Sequence, residues 1–460
     1  MFLPLSSIAP PRARGYSRAM HDQARFRIIR DPLWNTIRLD AIAVRIIDTA
    51  EFQRLRYIRQ LGFAHLVYPG ATHTRFDHAV GVYHLARTAL RFLKERKPVP
   101  EEAWEGEELI PYAALLHDIG HFAFSHALEE LETNQIPGDH EAISSQFFES
   151  PELHGALDVL GPGAAEGIHR LILGDGDLPL RGLVSGSLDL DKMEYLRRDA
   201  RFCGVPYGEV DVDRLIQGLA LLPDPESGRY EVGVHEKAVA ALESLLFAKY
   251  QMFRNVYWHH GVRAATALYK RIVEEAVREG LVTPPDLVGP TDEELLYEIG
   301  RRAEGVGTGG AERLRTRWLP ALRSRKIPKR ALELTAADLA EIPLPSWLGT
   351  DSLRRRDLED RLARELDLEP GEVVVDYPVK AAMFQLNLLL EKRNGEVARV
   401  GPEGLPGVID LPRVAEELYR TARVLRVFTF LRRTVTRDAF LEALRKCEDS
   451  AAEPSSGVGV

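Results

Sequence analysis

The stretch LLHDIGHFAFSH, from Leu115 to His126, constrains the fold more than any other part of the sequence. Directly behind an apolar run it places four side chains that carry charge or bind metal ions: His117, Asp118, His121 and His126. Burying such groups costs free energy unless they are paired with other charges or bound to an ion. We therefore expect a fold in which these side chains converge on partners from elsewhere in the chain.

Other histidines and carboxylates offer such partners. Eight of the fourteen histidines lie between residues 65 and 140. In HTRFDHAVGVYHLA, His78 follows Asp77 at the start of a predicted helix. In GSLDLDKMEYLRRD, Asp189 and Asp191 stand at the start of another. Two imidazoles with two carboxylates suit a divalent ion such as Fe, Mn, Zn or Ni, with open positions for water and substrate. The residue pattern alone does not choose between Asp189 and Asp191.

Hydrophobic spacing predicts a mainly α fold, with a helical body and a smaller α+β C-terminal lobe. A helix is expected from His140 onward, and apolar residues recur at helical intervals over four further stretches: 43–61, 75–93, 109–131 and 237–279. Strands are expected in GRYEVGVH, in GEVVVDYP and in the β-branched stretch after Arg423.

These patterns and two linker-like stretches, LVTPPDLVGPT and EGVGTGG, divide the chain into five parts. In chain order we expect a disordered leader over 1–25, the helical domain over 26–280, a linker with helices over 281–350, the α+β lobe over 351–448 and a disordered tail over 449–460.

Composition narrows the function. The net charge of −9 argues against a general nucleic-acid-binding protein, because no excess of Lys and Arg is present to neutralise phosphates. The two cysteines, Cys203 and Cys447, are too few for a disulfide framework or a Cys-based zinc site. No apolar run is long enough to cross a membrane. We expect a cytoplasmic protein.

The order H…HD…D resembles the signature of the HD phosphohydrolase superfamily. Longer stretches resemble its dNTP triphosphohydrolase branch, which includes the vertebrate sterile-alpha-motif/HD-domain enzyme: IIDTAEFQRLRYIRQLGFAHLVYPGATHTRFDHAVGVYHLA, LLHDIGHFAFSH and LDLDKMEYLRRDA. The resemblance covers residues 26 to 265. HD enzymes that act on alarmone nucleotides typically carry HDxxED, whereas this chain has HDxGH…SH. The resemblance implies a metal-dependent enzyme that converts a dNTP and water to a deoxynucleoside and triphosphate.

The same resemblance assigns site residues. It implies a divalent ion (Mn, Fe, Mg, Ni or Zn) held by His78, His117, Asp118 and Asp191. It implies catalytic helpers at His121, His126 and His140, with Glu141 orienting His140 and His126 as the expected acid. It implies that the triphosphate is bound by Arg75, Lys192 and Tyr195, and that the sugar is contacted by Gln60, Asp199 and Tyr257. Simpler roles stay open for the triphosphate group: a surface arginine, a solvated lysine and a packing tyrosine.

The vertebrate enzyme also binds a guanine nucleotide between subunits, which implies an allosteric nucleotide site at Asp48, Gln53 and Arg56, a dNTP or GTP activator, and a homo-oligomer, dimer or tetramer. The sequence departs from the family upstream, in RDPLWNT, at four positions: Arg30, Trp34, Asn35 and Thr36. The alternative is that Asp48 caps a helix and that Gln53 and Arg56 hold helix–helix contacts.

Two other function classes remain open. One is a phosphodiesterase or nuclease that acts on a cyclic nucleotide or single-stranded nucleic acid. The acidic net charge weighs against a long nucleic acid. The other is a non-catalytic nucleotide sensor, against which the complete set of metal and helper residues weighs.

Overall fold

The structure is a computed structural model. It describes residues 26–96, 98–131, 135–138, 140–339, 342, 344–378, 387–401 and 411–452. The predicted leader, 1–25, lies outside the described residues. So does the predicted tail from residue 453 onward, whereas its first residues continue the last helix to Ala452.

The N-terminal part is helical apart from two hairpins. Its strands are β1 (Arg27–Asp31), β2 (Asn35–Leu39), β3 (Leu219–Pro223) and β4 (Tyr230–His235). Its helices are α1 (Ala41–Ile47), α2 (Ala50–Gln53), α3 (Arg75–Lys94), α4 (Ile110–Leu116), α5 (Ser125–Leu128), α6 (His140–Phe148), α7 (Pro151–Leu157), α8 (Ala164–Leu173), α9 (Leu190–Cys203), α10 (Val212–Gly218), α11 (Val239–Met252) and α12 (His260–Arg278).

The C-terminal part mixes helices with short strands. Its strands are β5 (Lys329–Leu334), β6 (Val373–Asp376), β7 (Leu388–Glu391), β8 (Val397–Val400) and β9 (Leu425–Thr429). Its helices are α13 (Asp292–Arg302), α14 (Gly309–Arg313), α15 (Leu319–Arg323), α16 (Trp347–Thr350), α17 (Ser352–Glu365), α18 (Leu411–Ala422) and α19 (Arg437–Ala452). The predicted fold class, a helical body with a smaller α+β region, is confirmed.

Short 3-10 and π-helical segments connect these elements. The 3-10 segments are Arg54–Tyr57, Gly62–Leu66, Glu101–Trp104, Asp158–Leu160, Arg181–Leu183, Pro206–Gly208, Glu236–Ala238 and Pro284–Leu287. The π-helical segments are Phe253–Tyr257 and Leu314–Trp318. The first separates α11 from α12, so the stretch 237–279, predicted as one or two long helices, forms two.

The sheets cross the predicted domain boundaries. β1 and β2 pair only with each other, β5, β9 and β6 form an antiparallel sheet, and β3, β4, β7 and β8 form a four-stranded sheet in that order. In the last sheet β7 runs parallel to β4, so strands from 351–448 complete a sheet that begins in the helical body. Leu388, Leu390 and Val400 accordingly belong to the same apolar core as α3 and α4. The chain therefore does not separate cleanly at residue 280 or 350.

Local sequence explains where the helices that carry the site begin. Thr74 caps α3 in a capping box, in which the Asp77 carboxylate accepts from the Thr74 backbone N–H. Thr49 caps α2 by accepting from the backbone N–H of Phe52, as expected from the pair Asp48–Thr49.

The segment around HDIGH differs from the sequence prediction of one helix over 109–131. α4 ends at Leu116, and α5 is a separate helix of four residues. Phe124, just before α5, has a left-handed backbone with φ of 52°. Gly120 packs so closely on α6 that a Cβ atom there would lie 2.0 Å from the carbonyl oxygen of His140. A continuous helix could not include Phe124 in this conformation, because residues of a right-handed helix have negative φ.

Helix α12 lies between the helical body and the C-terminal region. Its buried residues include five that carry charge: Arg263, Lys270, Arg271, Glu274 and Glu275. Buried charges of this kind need partners, and those of α12 find them in β6, α14 and α17. Among the described residues, no helix combines the length and the apolar character needed to span a membrane.

Candidate metal centre and catalytic cleft

Four side chains that were predicted to bind a metal ion lie together where α3, α4 and α9 meet: His78, His117, Asp118 and Asp191. His78 Nε2 lies 3.1 Å from His117 Nε2 and 3.0 Å from Asp191 Oδ1. His117 Nε2 lies 3.3 Å from Asp118 Oδ1. The ligand atoms of His78, His117 and Asp118 all fall within 4.8 Å of one another. Histidine 117 is the C-cap of α4, and Asp118 follows it in a turn rather than on the predicted helix.

The start of α9 decides between the two candidate aspartates. Asp189 is the N-cap of the helix: its carboxylate accepts from the backbone N–H of Lys192 at 2.9 Å and pairs with Lys192 Nζ. Asp191 lies in the first turn and points at His78. The capping role removes Asp189 from the metal cluster.

Each ligating imidazole has its other ring nitrogen bound to an acceptor. His78 Nδ1 lies 2.7 Å from Glu194 Oε2, and His117 Nδ1 lies 2.8 Å from the carbonyl oxygen of Ala114. Neither a carboxylate nor a carbonyl can donate, so each Nδ1 carries a proton, and each Nε2 is the atom that a metal ion would bind in place of a proton. This donor set, two Nε2 atoms and two carboxylates, fits a divalent ion.

A buried polar network behind His78 was not predicted from the sequence. Glu194 Oε1 accepts from Trp34 Nε1 at 2.8 Å and from Arg198 Nε at 2.8 Å. Arg198 also pairs with Asp31, with NH1 2.9 Å from Oδ2. Trp34 is one of the four departures from the family in RDPLWNT, and here it helps to fix the carboxylate that orients a ligand.

The packing around Glu194 leaves no room for a larger residue on α3. A Cβ atom at Gly81 would lie 2.0 Å from Glu194 Oε1 and 2.8 Å from Arg198 NH2. The spacing of Glu194, three residues after Asp191 and four before Arg198, puts these side chains near one face of α9. That spacing is the sequence signal that could have revealed the network.

The charges of the cluster favour a cation. Burial alone would lower the pKa of His78, but its contacts with Asp191 and Glu194 raise that pKa to about 10. Burial opposes ionisation of Asp191, yet the contacts with His117 and His78 hold its pKa well below its usual value. The carboxylates are therefore ionised at neutral pH, and their field stabilises positive charge at the Nε2 atoms.

Arg75 and His121 both contact the carboxylate of Asp118, beside the metal cluster. Arg75 is buried, and its NH1 lies 2.7 Å from Asp118 Oδ2. His121 Nε2 lies 3.1 Å from Asp118 Oδ1, and its Nδ1 lies 2.6 Å from Ser125 Oγ. Burial and the neighbouring Arg75 lower the pKa of His121 well below its usual value, so this ring is neutral.

His126 and His140 share one carboxylate, that of Glu129. Their Nδ1 atoms lie 3.1 Å and 3.0 Å from the two oxygens of that carboxylate. His140 stacks on His121 with 3.7 Å between ring centroids, whereas the side chain of His126 is 58% exposed. Burial opposes ionisation of Glu129, but the two histidines more than offset it and lower its pKa. We call these three residues, Glu129, His126 and His140, the histidine corner.

The expectation that Glu141 orients His140 is wrong. Glu141 is exposed at the start of α6, and the described contacts of His140 Nδ1 lead to Glu129 instead. Sequence reasoning chose the adjacent residue, but on a helix neighbouring side chains diverge by about 100°. Glu129 lies three residues after His126, a spacing at which side chains meet on a helix.

The sequence matches the HD domain family over residues 75–160 and the HD associated region over residues 210–401. It is 33% identical over 354 residues to an uncharacterized protein of Methanocaldococcus jannaschii, a match that covers 77% of this chain and 69% of that protein. The chain belongs to the HD-domain phosphohydrolase family.

Two further relatives are shorter matches within the HD family. YwfO of Bacillus subtilis is 31% identical over 253 residues, which cover 54% of this chain and 56% of YwfO. The deoxynucleoside triphosphate triphosphohydrolase SAMHD1 of Gallus gallus is 31% identical over 265 residues, which cover 51% of this chain and 42% of SAMHD1. The chain thus covers about half the length of these two relatives.

Solved structures show the same HD fold. A hypothetical protein from Aquifex aeolicus superposes with a TM-score of 0.65 at 25% identity, over 92% of this chain and all of that chain. A phosphohydrolase from Bacteroides thetaiotaomicron superposes with a TM-score of 0.66 at 21% identity, over 89% of this chain and all of that chain.

The residues that were predicted to contact the sugar are connected to one another through His73. Asp199 accepts from Tyr257 OH at 2.6 Å, and its other oxygen lies 2.8 Å from His73 Nε2. Gln60 donates its backbone N–H to the carbonyl oxygen of His73, and its buried Oε1 has no partner among the described residues. Sequence reasoning missed His73.

The predicted triphosphate residues lie at the metal cluster. The Tyr195 ring centroid is 6.5 Å from that of His78. Lys192 Nζ donates to the carbonyl oxygen of Gly186 at 3.0 Å besides its pair with Asp189. Burial would lower the pKa of Lys192, but Asp189 and Asp191 raise it, so this amine is charged at neutral pH.

The three residues assigned to an allosteric nucleotide are near the surface and have partners within the chain. Asp48 is the C-cap of α1 and accepts two hydrogen bonds from Arg27. Gln53 accepts from Arg56 Nε at 2.9 Å, and the Arg56 guanidinium stacks over the Phe76 ring at 3.5 Å.

Proposed function

We propose that this HD-domain protein is a dNTP triphosphohydrolase, which converts a dNTP and water to a deoxynucleoside and triphosphate. The observation that carries the proposal is the order of side chains along α9. Asp191, Tyr195 and Asp199 follow one another at intervals of four residues, so they share one face of the helix over about 12 Å. Along that face the metal cluster comes first and the pocket of Asp199 and Tyr257 comes last, which is the order of α-phosphate and sugar in a 5′-nucleotide.

The charged residues suit a triphosphate. Hydrolysis of the bond between the α-phosphorus and the 5′-oxygen builds negative charge on the phosphate oxygens, which preorganised cations stabilise. Arg75 is buried beside Asp118, and the Lys192 amine lies in the loop that leads into α9. A divalent ion held by the four ligands would supply further charge stabilisation and would lower the pKa of a water nucleophile.

The histidine corner suits the leaving group. The departing 5′-oxygen needs a proton, and a histidine held by a carboxylate can give it. Because Glu129 takes the Nδ1 atoms of His126 and His140, the Nε2 atoms are left to act. The exposed side chain of His126 makes it the residue that reaches substrate from the open side, whereas His140 stacks inward on His121.

The sugar pocket supports a deoxynucleotide. The Tyr257 hydroxyl is held by its 2.6 Å hydrogen bond to the buried Asp199, so its ring cannot move away from the expected sugar edge without breaking that bond. A ring held there leaves little space for a 2′-hydroxyl. The unpartnered Oε1 of Gln60 and the carboxylate of Asp199 are acceptors that a 3′-hydroxyl would satisfy.

The test is a product assay with each of the four dNTPs and the four rNTPs, in Mn²⁺ or Mg²⁺, singly and in mixtures. We expect triphosphate and deoxynucleoside from dNTPs, little product from rNTPs, and none from the D118A variant. Release of pyrophosphate or orthophosphate instead would refute the reaction. If all dNTPs stay intact while cyclic nucleotides or single-stranded ends are cleaved by the same metal site, the phosphodiesterase or nuclease alternative replaces it.

The proposal includes a nucleotide-activated homo-oligomer. Asp48, Gln53 and Arg56 lie together near the surface, beside the 67% exposed Tyr57. Exposed aromatic side chains of this kind are enriched at protein interfaces. We expect activity in dNTP mixtures to exceed the sum of the single reactions, and the particle mass to rise on addition of GTP or dNTP. A mass and a rate that are unaffected by added nucleotide would remove the activator from the proposal.

A further inference from the structure

A buried ion cluster joins the histidine corner to the C-terminal region. Its members, which we call the α12 ion cluster, are Glu130, Arg263, Lys270 and Asp376. Two of them lie on α12, one follows α5, and one ends strand β6. The cluster thus links residues that are 246 positions apart, from 130 to 376.

Arg263 is the centre of this cluster. Its NH1 and NH2 each lie 2.8 Å from an oxygen of Glu130, a bidentate pair. On its other edge, Nε lies 2.8 Å from Asp376 Oδ2 and NH2 lies 2.5 Å from Oδ1. Lys270 Nζ adds a contact of 2.7 Å to Glu130. Two cations and two anions balance, and the Asp376 side chain is fully buried.

The α12 ion cluster can affect the position of the histidine corner because Glu130 directly follows Glu129 in the chain. Glu129 holds both His126 and His140. The helix that carries His126, α5, has only four residues, too few to be stable without tertiary contacts. Consecutive Cα atoms are about 3.8 Å apart, so fixing the Glu130 carboxylate fixes the Glu129 backbone closely.

A second contact ties the same segment to the C-terminal region. Gln135 Nε2 donates to Ser352 Oγ at 3.2 Å, at the first residue of α17. The chain that leaves α5 is therefore linked to the C-terminal region twice: through Arg263 to Asp376, and directly at Ser352.

We propose that Glu130 and Asp376 are positioning residues: through Arg263 they place Glu129, and so they couple the C-terminal sheet to the proton-donating histidines. The catalytic consequence rests on the proposed function. The structural part, in which Asp376 determines the position of Glu129, does not depend on which substrate is used.

The first test measures the segment itself, by hydrogen–deuterium exchange in the full-length protein. In D376N, Arg263 and Lys270 keep only one carboxylate and the cluster carries a buried positive charge. We expect faster exchange over residues 125–131. The matched control is E275Q: Glu275 is a fully buried carboxylate on the same helix, it pairs with Arg313 and Arg356 of the C-terminal region, and it makes no described contact with the α12 ion cluster. Exchange over 125–131 that is equal in both variants would overturn the coupling.

The second test is a kinetic double-mutant cycle. We expect D376N to lower kcat by about 10²-fold with little change in KM, the loss typical of a misplaced catalytic group. If Asp376 acts through Glu129, then D376N should have no further effect in the E129Q background. Independent losses that multiply would show a general structural defect and overturn the proposal.

A third variant guards against loss of folding. The double substitution E130Q/K270M removes one charge of each sign, so the cluster stays neutral while Glu130 loses its bidentate anchor. We expect this variant to fold and to reproduce the faster exchange over 125–131; unchanged exchange there would overturn the role of Glu130. A wild-type protein that hydrolyses no dNTP would refute the proposed function. The exchange experiment would still show whether Asp376 determines the position of Glu129.

Discussion

The metal centre and the histidine corner face each other across Asp118 and His121, but they are built in different ways. The ligands His78 and Asp191 stand in the first turns of helices of 20 and 14 residues, and His78 is fully buried. The corner rests on α5, a helix of four residues, and on a carboxylate whose neighbour is held by α12. Long helices position side chains by local geometry, whereas short segments depend on distant contacts. We therefore expect the two regions to respond differently to substitution.

The largest effect should come from the metal ligand Asp191. The D191N change removes a charged ligand, so we expect loss of bound metal and a fall in activity of about 10³-fold or more, because an ion supplies several kcal/mol of transition-state stabilisation. Metal content by mass spectrometry and the dNTP assay measure both. The control is D189N, which should keep its metal and lose at most about 1 kcal/mol of stability from the helix cap. A metal-loaded D191N protein would contradict the assignment.

The next effect should come from Glu129. Replacing it by glutamine removes the charge that holds His126 and His140, and we expect kcat to fall by about 10²-fold, at the low end for loss of general acid catalysis. Metal content should not change, and this result would distinguish a defect in the histidine corner from a defect in the metal centre. The matched variant is E141Q, which the sequence prediction would make equally harmful and the structure makes nearly silent. Equal losses of kcat in E129Q and E141Q would support the sequence prediction that Glu141 orients His140.

A smaller effect should come from Glu194, which orients His78 from behind. Outer partners of metal ligands typically contribute about 10- to 100-fold in metal affinity, and we expect a loss of that size in E194Q, measured by competition with a chelator. The variant should also unfold more easily, because Arg198 is fully buried and would lose a charged partner. Wild-type metal affinity in a folded E194Q protein would show that the Trp34–Arg198–Glu194 network serves only stability.

The contrast between the metal centre, built on long helices, and the histidine corner, built on a short one, also explains what the sequence could predict. The ligands His78, His117 and Asp118 were placed by short motifs at helix ends, and the choice of Asp191 came from the family resemblance, which the capping role of Asp189 now supports. Sequence patterns also predicted α3 and α9, and β-branched stretches predicted the strands β6 and β9 but not β5, β7 or β8. The corner was predicted less well: residues 109–131 are not one helix, and Glu141 does not hold His140.

Those two errors share a cause. The break after α4 accompanies the close approach of Gly120 to α6, and the second partner of Glu129, His140, lies on that separate helix. Pairings such as Glu130 with Asp376 join residues hundreds of positions apart, so periodicity and motif spacing carry no signal for them. The pairing of β7 with β4, which joins two of the predicted ranges in one sheet, has no signal in the sequence for the same reason.

The last effect concerns the stability of the fold rather than catalysis, through the support that α13 gives to the histidine corner. Asp292, buried at the start of α13, accepts from the backbone N–H of Arg59 at 2.9 Å. Burial raises its pKa from 3.8 to about 6, although the backbone amides of Arg59 and of Phe124, the residue just before α5, act in the opposite direction. A raised pKa in the folded state means that the folded protein binds this proton more tightly than the unfolded chain does. The resulting stability is fully present below about pH 4 and is lost as the pH rises through about 6.

In D292N this contribution is absent at every pH. The stability of D292N relative to wild type should therefore improve by up to about 3 kcal/mol between pH 4 and pH 7, since one pKa unit corresponds to about 1.4 kcal/mol. Urea unfolding of both proteins at the two pH values measures the difference, and other titrating groups cancel in the comparison. A difference that is independent of pH would mean that the pKa of Asp292 is the same in the folded and the unfolded chain, because Arg59, whose NH1 lies 3.6 Å from Asp292 Oδ2, offsets the effect of burial. In that case the turn at Phe124 is supported by a charge, and the corner would be no more sensitive to pH than the metal centre is.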